Sequence, residues 1–153
     1  MTDDDLKVHA LDLLETAEAA YLTTLDRHGR PQTRAMLNLR RGAQFPALIP
    51  FFADRRDGFE MWFTTNTASG KMADLAGNPA VSVYCCRPAD WRGLMLGGDM
   101  EIIEDAAVKA RLWCDGWELY YPKGPSDPDY AVLRLRPTGV RYYHQLRSAV
   151  LVG

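Results

Sequence analysis

The sequence predicts a mainly β protein with added helices (β+α), in which about six strands build a closed antiparallel barrel and the helices pack outside it. Three observations lead there. Strand-forming runs recur along the chain, joined by short turns or by single helices. Hairpin patterns stand near both ends, at residues 20–25 with 31–39 and at residues 130–137 with 140–145. No internal repeat, linker or low-complexity tract interrupts the 153 residues, so the chain reads as one domain, 1–153.

The elements follow in order. Residues 2–18 read as a helix, because Thr2 can accept a hydrogen bond from the first turn, Asp3 to Asp5 sit where the helix dipole favours anions, and Leu6, Ala10, Leu13, Leu14 and Ala17 form one stripe. The first hairpin turns at Asp26-Arg27-His28-Gly29-Arg30, and on its second strand Arg34 and Met36 share a face. Residues 40–58, with two prolines and two glycines, read as an insertion holding at most one short strand. A strand at residues 59–65 runs straight into a second helix, capped by Asn66 or Thr67, lined by Ala68, Met72, Leu75 and Ala76, and stopped at Gly77-Asn78-Pro79. Strands at residues 80–87 and 93–104 come next, and Gly97-Gly98 marks a bulge or a close approach by another backbone or a ligand. Asp105 caps a third helix running to about residue 120, an ordered loop covers residues 121–129, and the second hairpin closes the chain.

Composition narrows the function. Lys and Arg number 18 against 20 Asp and Glu, a net charge of -2 with 47% hydrophobic residues. That is the profile of a soluble globular domain without the basic excess a nucleic-acid binder uses to displace counterions. The acidic N-terminus and the lack of an apolar run near ~20 residues give no signal peptide or membrane span. Three cysteines, two adjacent at Cys85-Cys86, form neither a disulfide framework nor a paired zinc pattern, so reduced thiols, a cytoplasmic location and no metal are expected.

The chemically richest stretch is Trp62-Phe63-Thr64-Thr65-Asn66-Thr67-Ala68-Ser69-Gly70-Lys71. A helix start offers unpaired amides and a positive dipole end. Ser69 adds a hydroxyl, Gly70 lets an oxyanion approach the backbone, and Lys71 adds a full charge. Each residue also has an ordinary reading, Ser69 as a secondary cap and Lys71 as a solvated side chain. Arg34, in mid-strand, either reaches a solvated edge or finds an anion that suits its planar fork. No Gly-x-x-x-x-Gly-Lys-Ser/Thr or Gly-x-Gly-x-x-Gly occurs, which excludes the common nucleoside triphosphate and dinucleotide loops.

Thr33-Arg34-Ala35-Met36, then Trp62-Phe63-Thr64-Thr65, then Ser69-Gly70-Lys71 opening a helix that ends in Asn78-Pro79-Ala80-Val81-Ser82-Val83, together resemble the pyridoxamine 5'-phosphate oxidase-like FMN-binding split barrels. Gly97 to Asp105, Leu112-Trp113, Tyr120-Tyr121-Pro122-Lys123-Gly124 and Asp127-Pro128-Asp129-Tyr130 resemble the general stress protein branch of that superfamily. The resemblance spans nearly the whole chain apart from residues 40–58. It implies a six-stranded antiparallel split β-barrel with flanking helices, acting as a homodimer with FMN at the subunit interface. Carried over residue by residue, Arg34 and Lys71 would hold the FMN phosphate with Ser69, beside the open backbone of Gly70, while the backbone of Arg34, Ala35 and Met36 and the strand Phe63, Thr64 and Thr65 would line the ribityl chain and ring.

Two departures tell against true pyridoxamine 5'-phosphate oxidase activity. Gly70 stands where those oxidases carry an arginine, and their C-terminal segment has no counterpart here. The expected function is an FMN-dependent oxidoreductase that exchanges electrons with small molecules. The alternatives are a flavin store without turnover, or a heme- or deazaflavin-binding relative.

Trp113 and Trp117, four apart on the predicted third helix, serve either core and interface packing or the cover of a flavin; Trp113 joins the cofactor set on the second reading. Cys85 and Cys86 point to opposite faces of a strand, which argues against a thiol pair. His28 falls in a solvated turn. His144 is either an ordinary strand residue or, by resemblance, a heme ligand.

Overall fold

In the computed structural model, which describes residues 1–153, α1 (Asp3–Thr16) opens on a capping box: Thr2 Oγ1 accepts from the Asp5 amide at 3.2 Å, and the Asp5 carboxylate accepts from the Thr2 amide at 2.8 Å. Leu6, Ala10, Leu13 and Leu14 form its buried stripe, joined by Leu11. β1 (Ala19–Leu25) and β2 (Pro31–Leu37) make the expected hairpin. Asp26 accepts from the amides of His28 (2.8 Å) and Arg30 (3.0 Å), while Gly29 takes φ +75°, which costs a glycine little. β2 stops short of residue 39 because Asn38 leaves the ladder and donates to Leu14 O (2.8 Å) and Ala17 O (3.0 Å) at the end of α1.

Residues 40–58 hold no strand. A 3₁₀ turn at Pro46–Leu48 runs into α2 (Ile49–Ala53), and Phe45, Leu48, Phe51 and Phe52 are buried at helical rather than alternating spacing. β3 (Met61–Asn66) leads to α3 (Gly70–Gly77), which is capped at Ser69 rather than at Asn66 or Thr67. β4 (Ala80–Arg87), β5 (Arg92–Ile103), β6 (Tyr130–Leu135), β7 (Gly139–His144) and β8 (Arg147–Val152) complete the sheet. The β+α split-barrel class holds, with eight strands rather than six. Nor is the barrel closed: the path β2-β1-β4-β5-β6-β3 ends with no ladder between β2 and β3.

The second hairpin is also absent. β6 pairs with the far half of β5 (Met100–Ile103) and with β3, whereas β7 pairs with the near half (Arg92–Gly97) and with β8. The change of partner falls at Gly97-Gly98, where the link from β6 to β7 crosses over. Thr138 N donates to Gly97 O at 2.9 Å, and a Cβ on Gly98 would stand 3.3 Å from Arg136 O and Thr138 N. Of the two readings of this glycine pair, the close backbone approach is the one observed; the register shift lies at Val140/Arg141 instead. β8 was not anticipated, because Ser148-Ala149-Val150-Leu151-Val152 lacks a period-two pattern.

Two apolar cores share the β3–β6 layer. Met61, Phe63, Leu133 and Leu135 point into the barrel with Leu22, Val83 and Leu96. On the other face Trp62, Tyr130 and Val132 point into an annex closed by Phe45, Leu48, Phe51 and Phe52. α4 (Ala106–Leu112) begins as expected, with the Asp105 carboxylate accepting from Ala107 N (2.9 Å) and Val108 N (3.2 Å). It ends well before residue 120. Trp113 turns extended with ψ 132° and Gly116 takes φ +93°, which brings the Trp113 ring 5.2 Å from that of Tyr130. Trp113 and Trp117 therefore share no helix, yet their rings meet edge to face at 6.0 Å.

Candidate functional site

The turn between β3 and α3 is pinned from outside. Thr67 donates through its amide to Asp129 O and through its hydroxyl to Pro128 O, each at 2.9 Å, and Asn66 donates to the Asp129 carboxylate. These bonds occupy the two residues the sequence offers as caps. Ser69 takes the cap position without a side-chain cap bond, and its hydroxyl accepts instead from Thr65 Oγ1 at 3.4 Å. The amides of Gly70 and Lys71 consequently find no acceptor within the chain. A Cβ on Gly70 would meet nothing within 4 Å, so an incoming oxyanion has open access to that backbone.

Arg34 stands beside this helix start. Its register partner on β1 is Leu22, and cross-strand partners share a face, so the arginine is directed toward buried Thr24. Nη1 donates to Thr24 Oγ1 at 2.7 Å and to Leu22 O at 3.4 Å, while Nη2 lies 3.7 Å from Asp74 Oδ2. The Thr24 hydroxyl donates in turn to Asp74 Oδ2 at 2.7 Å. Lys71 has no carboxylate partner, and burial first, then the charge of Arg34, hold its ammonium below the usual lysine range. Of the two cations only Arg34 has a carboxylate partner. A half-buried cation facing another cation, with two free amides and a hydroxyl alongside, is a donor set for a phosphate. These residues fit a phosphate-bearing cofactor.

Thr24 and Asp74 escaped the sequence reading. Asp74 carries a faint signal, since it lies one helical turn beyond Lys71. The other predicted site residues are distributed unevenly. Ala35 is exposed on the edge strand β2, and half-buried Met36 packs against the barrel core. Thr65 is buried beside Ser69. Phe63 is wholly buried in the barrel core, which leaves only its backbone available to a ligand. Thr64 lies on the opposite face of β3, near Tyr121. Trp113 belongs to the annex, with rings of Trp117, Tyr121 and Tyr130 at 5.2–6.0 Å.

Trp117 is buried core, as its ordinary reading has it. His28 is exposed, Cys85 is buried and Cys86 only half so. His144 Nδ1 is hydrogen-bonded to Tyr142 Oη at 2.8 Å, and its ring lies 4.9 Å from that of His9.

Several solved structures share this architecture. A Clostridium acetobutylicum protein related to general stress protein 26 of Bacillus subtilis is 29% identical, with a TM-score of 0.76 over 98% of this chain and 95% of that one. General stress protein 26 of Bacillus anthracis is 20% identical, with a TM-score of 0.69 over 95% of this chain and 98% of that one. A pyridoxamine 5'-phosphate oxidase-related, FMN-binding protein of Nostoc punctiforme is 17% identical, with a TM-score of 0.61 over 90% of this chain and 80% of that one. No functionally curated protein matches the chain in sequence. Residues 6–144 match the pyridoxamine 5'-phosphate oxidase family, and with that match across most of its length the chain belongs to this family.

Proposed function

We propose that the chain is an FMN-binding flavoprotein acting as an oxidoreductase, with Lys71, Arg34, Ser69 and the amides of Gly70 and Lys71 holding the flavin phosphate. The observation that carries this reading is the surplus cation: Lys71 sits half-buried beside Arg34 without a carboxylate of its own. Bound FMN supplies reversible electron uptake, and the chain supplies binding and orientation. β2 and β3 are each paired on one side only, so backbone groups of residues 34–36 and 63–65 border the split in the barrel, which supports a role in bonding the ribityl chain or ring edge. Asp74 is held by Thr24 and Arg34, which suits it to positioning rather than proton transfer.

A homodimer with FMN at the subunit interface belongs to the same proposal. Its support is an apolar row across the outer face of the sheet, where Ala35, Tyr21, Tyr84 and Met95 are register neighbours and the last three are 39–42% exposed. Trp113, held in the annex, enters as a ring-side residue presented across that interface. A cytoplasmic setting is supported by three free thiols, of which buried Cys85 is pushed up to about 12 and is inert as a nucleophile. No helix is long and apolar enough to cross a membrane.

The test is reconstitution of the purified protein with FMN, followed by flavin fluorescence quenching. We expect a yellow protein whose FMN affinity falls about tenfold or more in Lys71→Ala, the scale of one charge-assisted hydrogen bond. A protein that retains no flavin would sink the reading, and so would unchanged affinity in both Lys71→Ala and Arg34→Ala. Anaerobic mixing with NADH or NADPH then separates oxidoreductase from flavin store, because a store leaves the bound flavin oxidised with either donor.

A further inference from the structure

Residues 121–129 form a loop outside the phosphate corner, fastened at both ends to the annex. Tyr121 and Tyr130 are buried there with ring centres 4.9 Å apart, and Tyr130 Oη donates to Lys109 O at 2.9 Å. Between them the chain turns tightly. Gly124 takes φ +82° and donates to Tyr121 O at 3.0 Å, and Asp127 N donates to Gly124 O at 2.9 Å. Asp127 is buried, and its carboxylate accepts from the amides of Lys123 (3.0 Å) and Asp129 (2.9 Å). One carboxylate thus ties the start of the loop to its end.

The end of the loop is what steadies the phosphate turn. The β3–β6 ladder runs out at Asn66 and Tyr130, so Pro128 and Asp129 stand beside Thr67 just beyond it. The Thr67 hydroxyl is committed to Pro128 O and its amide to Asp129 O, while Asn66 donates to the Asp129 carboxylate. Freed from Pro128, that hydroxyl has a second use. Threonine is a favoured cap residue, and a cap side chain accepts from the amide two or three positions on, which for Thr67 means Ser69 or Gly70. The Ser69 amide already donates to Asn66 O at 3.0 Å, which leaves the Gly70 amide for a released Thr67. That amide is one of the two proposed to hold the flavin phosphate. We infer that Asp127 is a positioning residue of the phosphate site: by holding Pro128 and Asp129 it keeps the Thr67 hydroxyl turned outward and the Gly70 amide open. Loosening the loop lets Thr67 cap the helix and close that donor. The corner therefore has an open and a self-capped state, chosen by a loop that contributes no group to the ligand. The ligand's identity as FMN rests on the proposed function; the choice between the two caps does not.

The experiment follows water exchange of the Gly70 amide by NMR in the flavin-free full chain, together with FMN and riboflavin affinity, in Asp127→Ala, Thr67→Val and the variant carrying both. In Asp127→Ala the Gly70 amide should exchange more slowly than in the unaltered chain. FMN should bind about tenfold more weakly, and riboflavin, which lacks the phosphate, should bind as before. The double variant is the decisive case. Valine cannot cap, so adding Thr67→Val should restore fast Gly70 exchange and part of the lost FMN affinity, whereas a loop that merely supports the fold would make the two losses add. If Asp127→Ala does not fold, Asp127→Asn, which retains one acceptor oxygen, should show the same effects at smaller size. Unchanged Gly70 exchange in the folded Asp127 variant, equal losses of FMN and riboflavin, or additive losses in the double variant would overturn the inference. Slowed exchange in Asp127→Ala, in a chain that binds no FMN even unaltered, would keep the two cap states and sink the flavin reading alone.

Discussion

Arg34 and Arg40 leave the same short stretch of chain and meet opposite fates. Arg34 keeps 26% of its side chain exposed and shares its fork among Thr24, Leu22 O and Asp74; Arg40 keeps none exposed and makes one side-chain hydrogen bond, to Glu60 O. The period of two along β2 sends Arg34 to the rim of the barrel, where water reaches it and a partial partner set suffices. Two hydrogen bonds from Asn38 to the end of α1 send Arg40 inside, where water cannot substitute for missing partners. Identical side chains therefore do different work. The rim arginine tunes a binding corner, and the buried one ties the annex to the barrel.

The largest expected effect is on that buried arginine. Arg40→Ala should cost about 3 kcal/mol in urea unfolding, since it leaves a cavity and breaks a buried contact, whereas Arg34→Ala should cost about 1 kcal/mol. Equal costs would erase the distinction between the two sites. Next in size is ligand affinity: Lys71→Ala should weaken FMN by about 2 kcal/mol and hardly move the urea midpoint, because Lys71 has no partner in the chain to strand. Arg34→Ala should weaken both affinity and stability, since Thr24 and Asp74 lose a partner. A stability loss in Lys71→Ala that matches its affinity loss would instead make the corner structural.

A smaller effect should appear with pH. Burial and Arg34 hold the Lys71 ammonium below its ordinary 10.5, so between that lowered value and 10.5 the unfolded chain binds the proton more tightly and stability gains as pH rises. Anion binding runs the other way. FMN affinity should fall as pH climbs through the same window, and Lys71→Arg should flatten the fall because arginine stays charged. An equally steep alkaline loss in that variant would remove Lys71 from the phosphate site. The smallest expected change is in Asp74→Asn, which removes the only carboxylate at the corner. FMN should bind slightly tighter at low salt, by about 0.5 kcal/mol, and the gain should fade at high salt. Weaker binding at every salt concentration would show that Asp74 acts mainly by holding Arg34 in place.

How much of this was legible beforehand depends on the range of the contacts involved. The Thr2 cap, the Asp26 to Arg30 turn, the Asp105 cap and the Gly77-Asn78-Pro79 stop are each settled among residues a few positions apart, and all stand where the sequence predicts them. The end of α4 was not legible, since it follows from the Trp113 ring reaching Tyr130. Residues 40–58 read as an insertion with at most one short strand, whereas their aromatic residues form helical turns that cover Trp62. At the site, Lys71, Arg34 and the helix start were visible as residue types on predicted elements. Thr24 and Asp74 were not, because nothing local joins residues 50 positions apart.

The β+α class, the order of most elements and the two cations of the corner follow from caps, turns and face periodicity, which are local properties of the chain, and the family resemblance follows from its motifs. Long-range packing sets the change of partner in β5 at Gly97-Gly98, the opening between β2 and β3, and the burial of Arg40 with unpaired nitrogens. Every strand offers the same backbone donors and acceptors, so pairing is chosen by close packing between distant segments. The fate of a buried charge is settled by what that packing leaves within its reach.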